Sequence, residues 1–89
     1  MRSIVTVVGK DQVGIIAGVC TQLAKEQINV LDINQTILSG SFTMVMLVDT
    51  ALSQTPFASL VADLEEFGRG RGLTIHMQRE DIFNAMHRI

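Results

Sequence analysis

Val8-Gly9-Lys10-Asp11-Gln12-Val13-Gly14-Ile15-Ile16 is the stretch that decides the reading of this chain. An apolar, β-branched run, Ile4-Val5-Thr6-Val7-Val8, precedes it, and Ile15, Ile16, Val19, Cys20, Leu23 and Ala24 follow at helical spacing. Gly9 to Gly14 therefore lies where a strand hands over to a helix. The first N–H groups of a helix have no partner inside it, and its dipole adds roughly half a positive charge there. An anionic group is stabilised at such a tip. Gly9 and Gly14 permit unusual backbone angles and the close approach of another molecule. The same two glycines would also serve a plain tight connection with Asp11 capping the helix, so the surroundings must decide.

Upstream, Arg2 to Val8 is apolar or β-branched at most positions, which predicts a strand buried largely on both faces. Downstream, the helix is expected to end around Gln27. Asn29 opens a strand, Val30 to Leu38, with Leu31, Ile33 and Ile37 on one face and Asp32, Asn34 and Thr36 on the other. Ser39-Gly40-Ser41 is a turn signal, and Phe42 to Val48 completes a hairpin. Thr55-Pro56 reads as a helix start, with Thr55 capping and proline at the first helical position. Phe57, Leu60, Val61, Leu64 and Phe67 then form an apolar stripe that Gly68, Gly70 and Gly72 stop. Leu73 to Arg79 alternates again, and Asp81 precedes Ile82, Phe83 and Met86, which read as one or two turns of docked helix. No linker, repeat or low-complexity stretch interrupts residues 1–89, so they form a single domain.

The order β-α-β-β-α-β with a short C-terminal helix predicts an α+β, ferredoxin-like sandwich, a four-stranded antiparallel sheet with two helices on one face. The third strand is apolar on both sides, with Phe42, Met44, Met46 and Val48 on one and Val45 and Leu47 on the other. Burying two further apolar side chains is worth roughly 3 to 6 kcal/mol, so another subunit is expected to cover the second face or an edge.

Bulk composition agrees. Of 89 residues, 47% are hydrophobic and only 18% charged, an apolar excess that a partner chain would cover. The net charge of −2 argues against general nucleic-acid binding. No apolar run approaches the ~18 residues of a membrane span, so a cytoplasmic protein is expected. The lone Cys20 excludes an internal disulfide and paired-cysteine metal motifs, and reads as a small buried hydrophobe. No cofactor is implied. His76 lies mid-strand and His87 in the tail, and neither is spaced to pair a nucleophile with a base, so an enzyme is not expected.

The fold hosts many activities, and the residues remove several. A single-strand RNA reader stacks bases on aromatics, but the chain has no Trp or Tyr and two of its four Phe residues belong to a helix. A metal chaperone needs paired cysteines in the first loop and an acylphosphatase-like enzyme an arginine there, and both are missing. What remains, Val8-Gly9-Lys10-Asp11-Gln12-Val13-Gly14-Ile15-Ile16 followed by Gln27-Ile28-Asn29-Val30-Leu31-Asp32-Ile33-Asn34-Gln35-Thr36, resembles the ACT domain. Val13 stands where that family usually has proline. The resemblance covers the chain through Arg79 and is similar in type to the stand-alone single-domain bacterial members and to one half of the glycine cleavage repressor. It implies a small-molecule sensor, mostly of amino acids, that acts as a homodimer or higher homo-oligomer and acts on a regulated protein partner.

The resemblance further implies a site between the first loop of one domain and the second strand of another. Carried over, it names Asp11, the backbone of Val13, Gly14 and Ile15, and Asn29, with Asp32 and Asn34 in second rank. The chemistry is coherent, since a free amino acid offers a carboxylate for the helix tip and an ammonium for Asp11 or an amide oxygen. Asn29 is equally readable as a turn residue, whereas Asp32 reads more readily as a polar residue at a subunit seam. A pure association module without ligand binding remains the alternative.

Overall fold

A computed structural model of the chain describes residues 1–86, without the side chains of Phe83, Ala85 and Met86. The elements are β1 (Arg2–Lys10), α1 (Ile15–Lys25), β2 (Asn29–Leu38), β3 (Ser41–Asp49), α2 (Phe57–Arg69), β4 (Leu73–Arg79) and α3 (Glu80–Met86). All strand pairs are antiparallel in the order β2-β3-β1-β4, so β1 and β3 are central and β2 and β4 are edges. This is the ferredoxin-like α+β sandwich expected from the element order.

Alternation along the strands builds the core. Val5 and Val7 of β1 lie beside Met46 and Met44 of β3 and Met77 and Ile75 of β4. On this face they meet Ile15, Val19 and Leu23 of α1 and Leu60 and Leu64 of α2, all buried. The opposite, outer face of β1 is less covered than expected. Ile4 is buried and Thr6 half-buried, but Val8 is 42% exposed among the described residues.

Several element ends differ from the sequence reading for local reasons. β1 extends through Gly9 and Lys10, which pair with Phe42 and Ser41, so the loop proper is only Asp11 to Gly14. α1 stops at Lys25, since Gln27 adopts a φ of 57° and turns the chain. The hairpin turn is Ser39-Gly40, and Ser41 already pairs in β3. Thr55 does not cap α2. Its hydroxyl donates to Glu26 Oε2 at 2.6 Å, and Pro56 takes the N-cap position with its carbonyl accepting from Ser59 and Leu60. Gly68 does not stop α2 but sits buried inside it. A Cβ there would lie 2.8 Å from both Leu73 O and Ile75 Cγ1, so a glycine is what lets α2 pack onto β4. α3 begins at Glu80, and Arg2 ties to it through Glu80 Oε2 at 2.9 Å. The packing expected of Phe83 and Met86, and His87 itself, lie outside the described residues.

The largest departure is β2. Its expected apolar face, Leu31, Ile33 and Ile37, is not covered within the chain. These residues are 47%, 43% and 55% exposed, and Leu38 is 72% exposed. The cause is topological: β2 is an edge strand, and the register shifts between Val30 and Asp32, leaving Leu31 as a bulge.

Candidate functional site

The glycine loop joins the end of β1 to the start of α1. Gly14 is the N-cap, with φ 85° and ψ 9°, a left-handed conformation that glycine adopts without the steric cost borne by other residues. No side chain caps the helix, so Asp11 does not serve that role. The first intrahelical bond runs from Gly18 N–H to Gly14 O at 2.9 Å, which leaves the earlier N–H groups of α1 directed out of the tip. Val13 is fully exposed and Ile15 is buried, so Ile15 can offer a ligand only its backbone.

Two bonds hold the loop. Asp11 N–H donates to Gly40 O at 2.8 Å, fixing it to the β2–β3 turn. Gln12 Nε2 donates to Arg71 O at 3.1 Å and to Lys10 O at 3.4 Å, fixing it to the turn between α2 and β4. The Asp11 carboxylate is exposed and makes no internal bond among the described residues, so it is available to a cation.

Asn29 lies far from this loop within one chain. It pairs with Asp49, which pairs with Arg2, whereas Asp11 follows Lys10 at the other end of β1. Eight residue steps of strand separate the two ends by roughly 26 Å. By alternation from Val30, Asn29 faces the outer side of the sheet with Asp32 and Asn34. One oxygen of Asp32 accepts the Ile33 N–H at 2.8 Å, a local bond beside the bulge. The structure thus gathers Asp11, Val13, Gly14 and Ile15 at one end and spreads Asn29, Asp32 and Asn34 along an exposed edge.

Two residues near the loop were not anticipated from sequence. Gln12 is its side-chain brace, and Arg71 stacks its guanidinium 4.1 Å from the Phe67 ring centroid. Only the tertiary fold brings either close, since 59 positions separate Gln12 from Arg71. Cys20 is half-buried against the core rather than fully inside it.

Elsewhere the chemistry is sparse. A cleft of about 210 Å³ lies between α2 and β4, lined by Glu65, Arg69, Leu73, Thr74, Ile75 and His76. Another of about 180 Å³ is lined by Lys25, Glu26, Gln27, Gln54 and Thr55. Neither includes a loop residue. Among the described residues no cluster of His, Cys, Asp and Glu is arranged to hold a metal, and no helix is long and apolar enough to cross a membrane. The perturbed carboxyls also lie away from the loop. The Ala51 N–H and the N-terminal ammonium hold Asp49 below its ordinary value, and the Arg79 guanidinium does so for Asp81.

Residues 2–78 match the ACT domain family. A UPF0237 protein of Bifidobacterium longum is 52% identical over 88 residues, which cover 99% of this chain and 98% of that one. The ACT domain protein from Streptococcus pneumoniae has a similar structure, with a TM-score of 0.83 at 40% identity over 98% of each chain. A structure described as a glycine cleavage system transcriptional repressor gives a TM-score of 0.71 at 25% identity, covering 86% of this chain and 44% of that one.

Proposed function

Because the chain belongs to the ACT domain family of regulatory, ligand-binding domains, we propose that it is a non-catalytic regulator that binds a free amino acid between two copies of itself. One observation carries the reading. The β2 edge leaves Leu31, Ile33, Ile37 and Leu38 uncovered, while the two halves of the expected site stand at opposite ends of the sheet within one chain.

Antiparallel pairing of β2 with β2 of a second copy resolves both facts. A register with Ile33 opposite the partner's Ile37 pairs the apolar residues twice about a two-fold axis. Asp32, the only charge on β2, then falls opposite an uncharged residue. The same register sets Asn29 beside the partner's Ser39-Gly40 turn. Asp11 of that copy is bonded to Gly40, so it stands about two strand spacings away, roughly 10 Å. That gap suits an amino acid. Its carboxylate meets the free N–H groups at the tip of α1, its ammonium meets Asp11, and Asn29 closes the site from the other subunit.

Calorimetry against the standard amino acids, with sedimentation alongside, tests the reading. At least one is expected to bind, and Asp11→Ala and Asn29→Ala each to weaken it tenfold or more, a charged hydrogen bond being worth about 1.5 to 3 kcal/mol. No response to any amino acid at millimolar concentration refutes it. The exposed apolar edge also suits an association module without a ligand. Capture of a protein partner that neither substitution alters favours that second reading.

A further inference from the structure

Within the chain, the binding loop and the segments on either side of it meet the end of α2, the turn after it and the start of β4 at three points. A Cβ placed on Gly9 would lie 2.6 Å from Leu73 Cδ2 and 3.3 Å from Gly72 O. A Cβ placed on Gly18 would lie 3.1 Å from Phe67 Cζ and 3.6 Å from Arg71 Nε. Between them, Gln12 Nε2 donates to Arg71 O. The missing side chains at Gly9 and Gly18 therefore let the segments on either side of the loop close onto the turn, and Gln12 joins the loop to it by a hydrogen bond.

The two anchors of the loop differ in kind. The bond from Asp11 N–H to Gly40 O is backbone to backbone and continues the sheet. The bond from Gln12 ends on a turn held by weaker means. Arg71 N–H reaches Gly68 O at 2.9 Å, but Gly72 N–H is 3.4 Å from Arg69 O, and Gly72 has a φ of 70°. The Arg71 guanidinium rests on the Phe67 ring and is not among the chain's ion pairs, which involve Arg2, Arg69, Arg79 and the N-terminus among the described residues. An amino acid engaging Asp11 on one side and the backbone of Gly14 and Ile15 on the other brackets residue 12. A tightening of the loop between those contacts acts on the Gln12 side chain as well as on the backbone bond to Gly40.

We infer that Gln12 is a positioning residue that couples the binding loop to the α2–β4 turn at Gly70–Gly72, making that turn the part of the fold that responds to ligand. The inference rests on the amino-acid reading above. It places the response next to β4, the sheet edge farthest from the β2 seam.

Amide hydrogen exchange followed by NMR tests it in the intact protein, in two arms. Without added ligand, Gln12→Ala is expected to speed exchange at Arg71 and Gly72 about fivefold, the effect of losing one hydrogen bond. Val5 and Val7 amides stay unchanged. Gln12→Glu, of the same shape but with no donor, should behave as the alanine variant does, which a merely space-filling role would not produce. In the second arm the probe is a mixture of the standard amino acids at about 1 mM each, a level set by the micromolar to millimolar affinities of small ligands. It is expected to slow exchange at the turn in the wild type. In Gln12→Ala the turn no longer responds, although the Asp11 and Gly18 resonances still move. Unchanged exchange at the turn in Gln12→Ala without ligand overturns the coupling. So does a turn that responds equally in the variant, or loop resonances that move in the wild type while the turn stays indifferent. If no wild-type resonance moves with the mixture, the amino-acid reading fails and the ligand response with it, while the first arm still decides the tie.

Discussion

Replacing Ile33 and Ile37 together by lysine is the perturbation that most directly separates a paired β2 edge from a free one. The two side chains are 43% and 55% exposed, so each has about half its surface left to bury. Full burial of isoleucine is worth roughly 1.5 to 3 kcal/mol, and half of it about 1 kcal/mol. A two-fold pairing brings four such side chains together, about 4 kcal/mol in all, and loss of that amount raises a dissociation constant close to a thousandfold. Four ammonium groups crowded along two adjacent strands add repulsion in the same direction. Neither isoleucine belongs to the buried core, so the variant subunit should keep its secondary structure by circular dichroism. Sedimentation equilibrium of wild type, the double variant and Leu52→Lys makes the comparison. Leu52 is 72% exposed in the connection between β3 and α2 and serves as the control. The reasoning is refuted if the double variant self-associates as tightly as the wild type. It is refuted equally if the control weakens association as much, or if the wild type stays monomeric at high concentration.

Three further outcomes follow from particular contacts. Gly68→Ala should destabilise the protein by about 1 to 2 kcal/mol, because overpacking against Leu73 O and Ile75 outweighs the gain in helix propensity. Gly70→Ala, with no neighbour closer than 3.7 Å to the new Cβ and a φ of −67°, should be neutral or slightly stabilising, and urea denaturation compares the two. Ser3→Ala should raise stability by about 1 kcal/mol, seen as a higher thermal midpoint, since the Ser3 hydroxyl is fully buried without a hydrogen-bond partner among the described residues. Asp49 has a folded-state pKa below its ordinary 3.8, so its contribution is present above that value and is lost as pH falls through the lower folded one. NMR titration should find that lower value, and Asp49→Asn should flatten the acid side of the stability profile.

Much of the fold was legible along the chain because alternation and helical spacing report burial directly. Met44, Met46 and Val48 on β3 and Leu60 and Leu64 on α2 fell inside as their spacing required. Element ends were less legible where a side chain had a distant alternative. Thr55 has the chemistry of a cap, but the Glu26 carboxylate, 29 positions earlier, accepts the hydrogen bond from its hydroxyl. Gly68 has the chemistry of a helix stop, but β4 packs where its side chain would be, and the helix runs on through it.

The loop was visible for a similar local reason. A glycine that must take a positive φ before a helix leaves a signature in sequence, and Gly14 takes one. The partners of that loop left none, since Gln12 and Arg71 meet only after two helices and two strands have folded between them. The sequence by itself determined the order of elements, the core stripes and the identity of the helix tip, because each depends on residues within a few positions of one another. Only the tertiary structure decided that β2 is an uncovered edge, that Asn29 and Asp11 stand at opposite ends of one sheet, and that the loop is braced on the α2–β4 turn. Those are consequences of strand order and register, which arise from contacts between residues far apart in the chain.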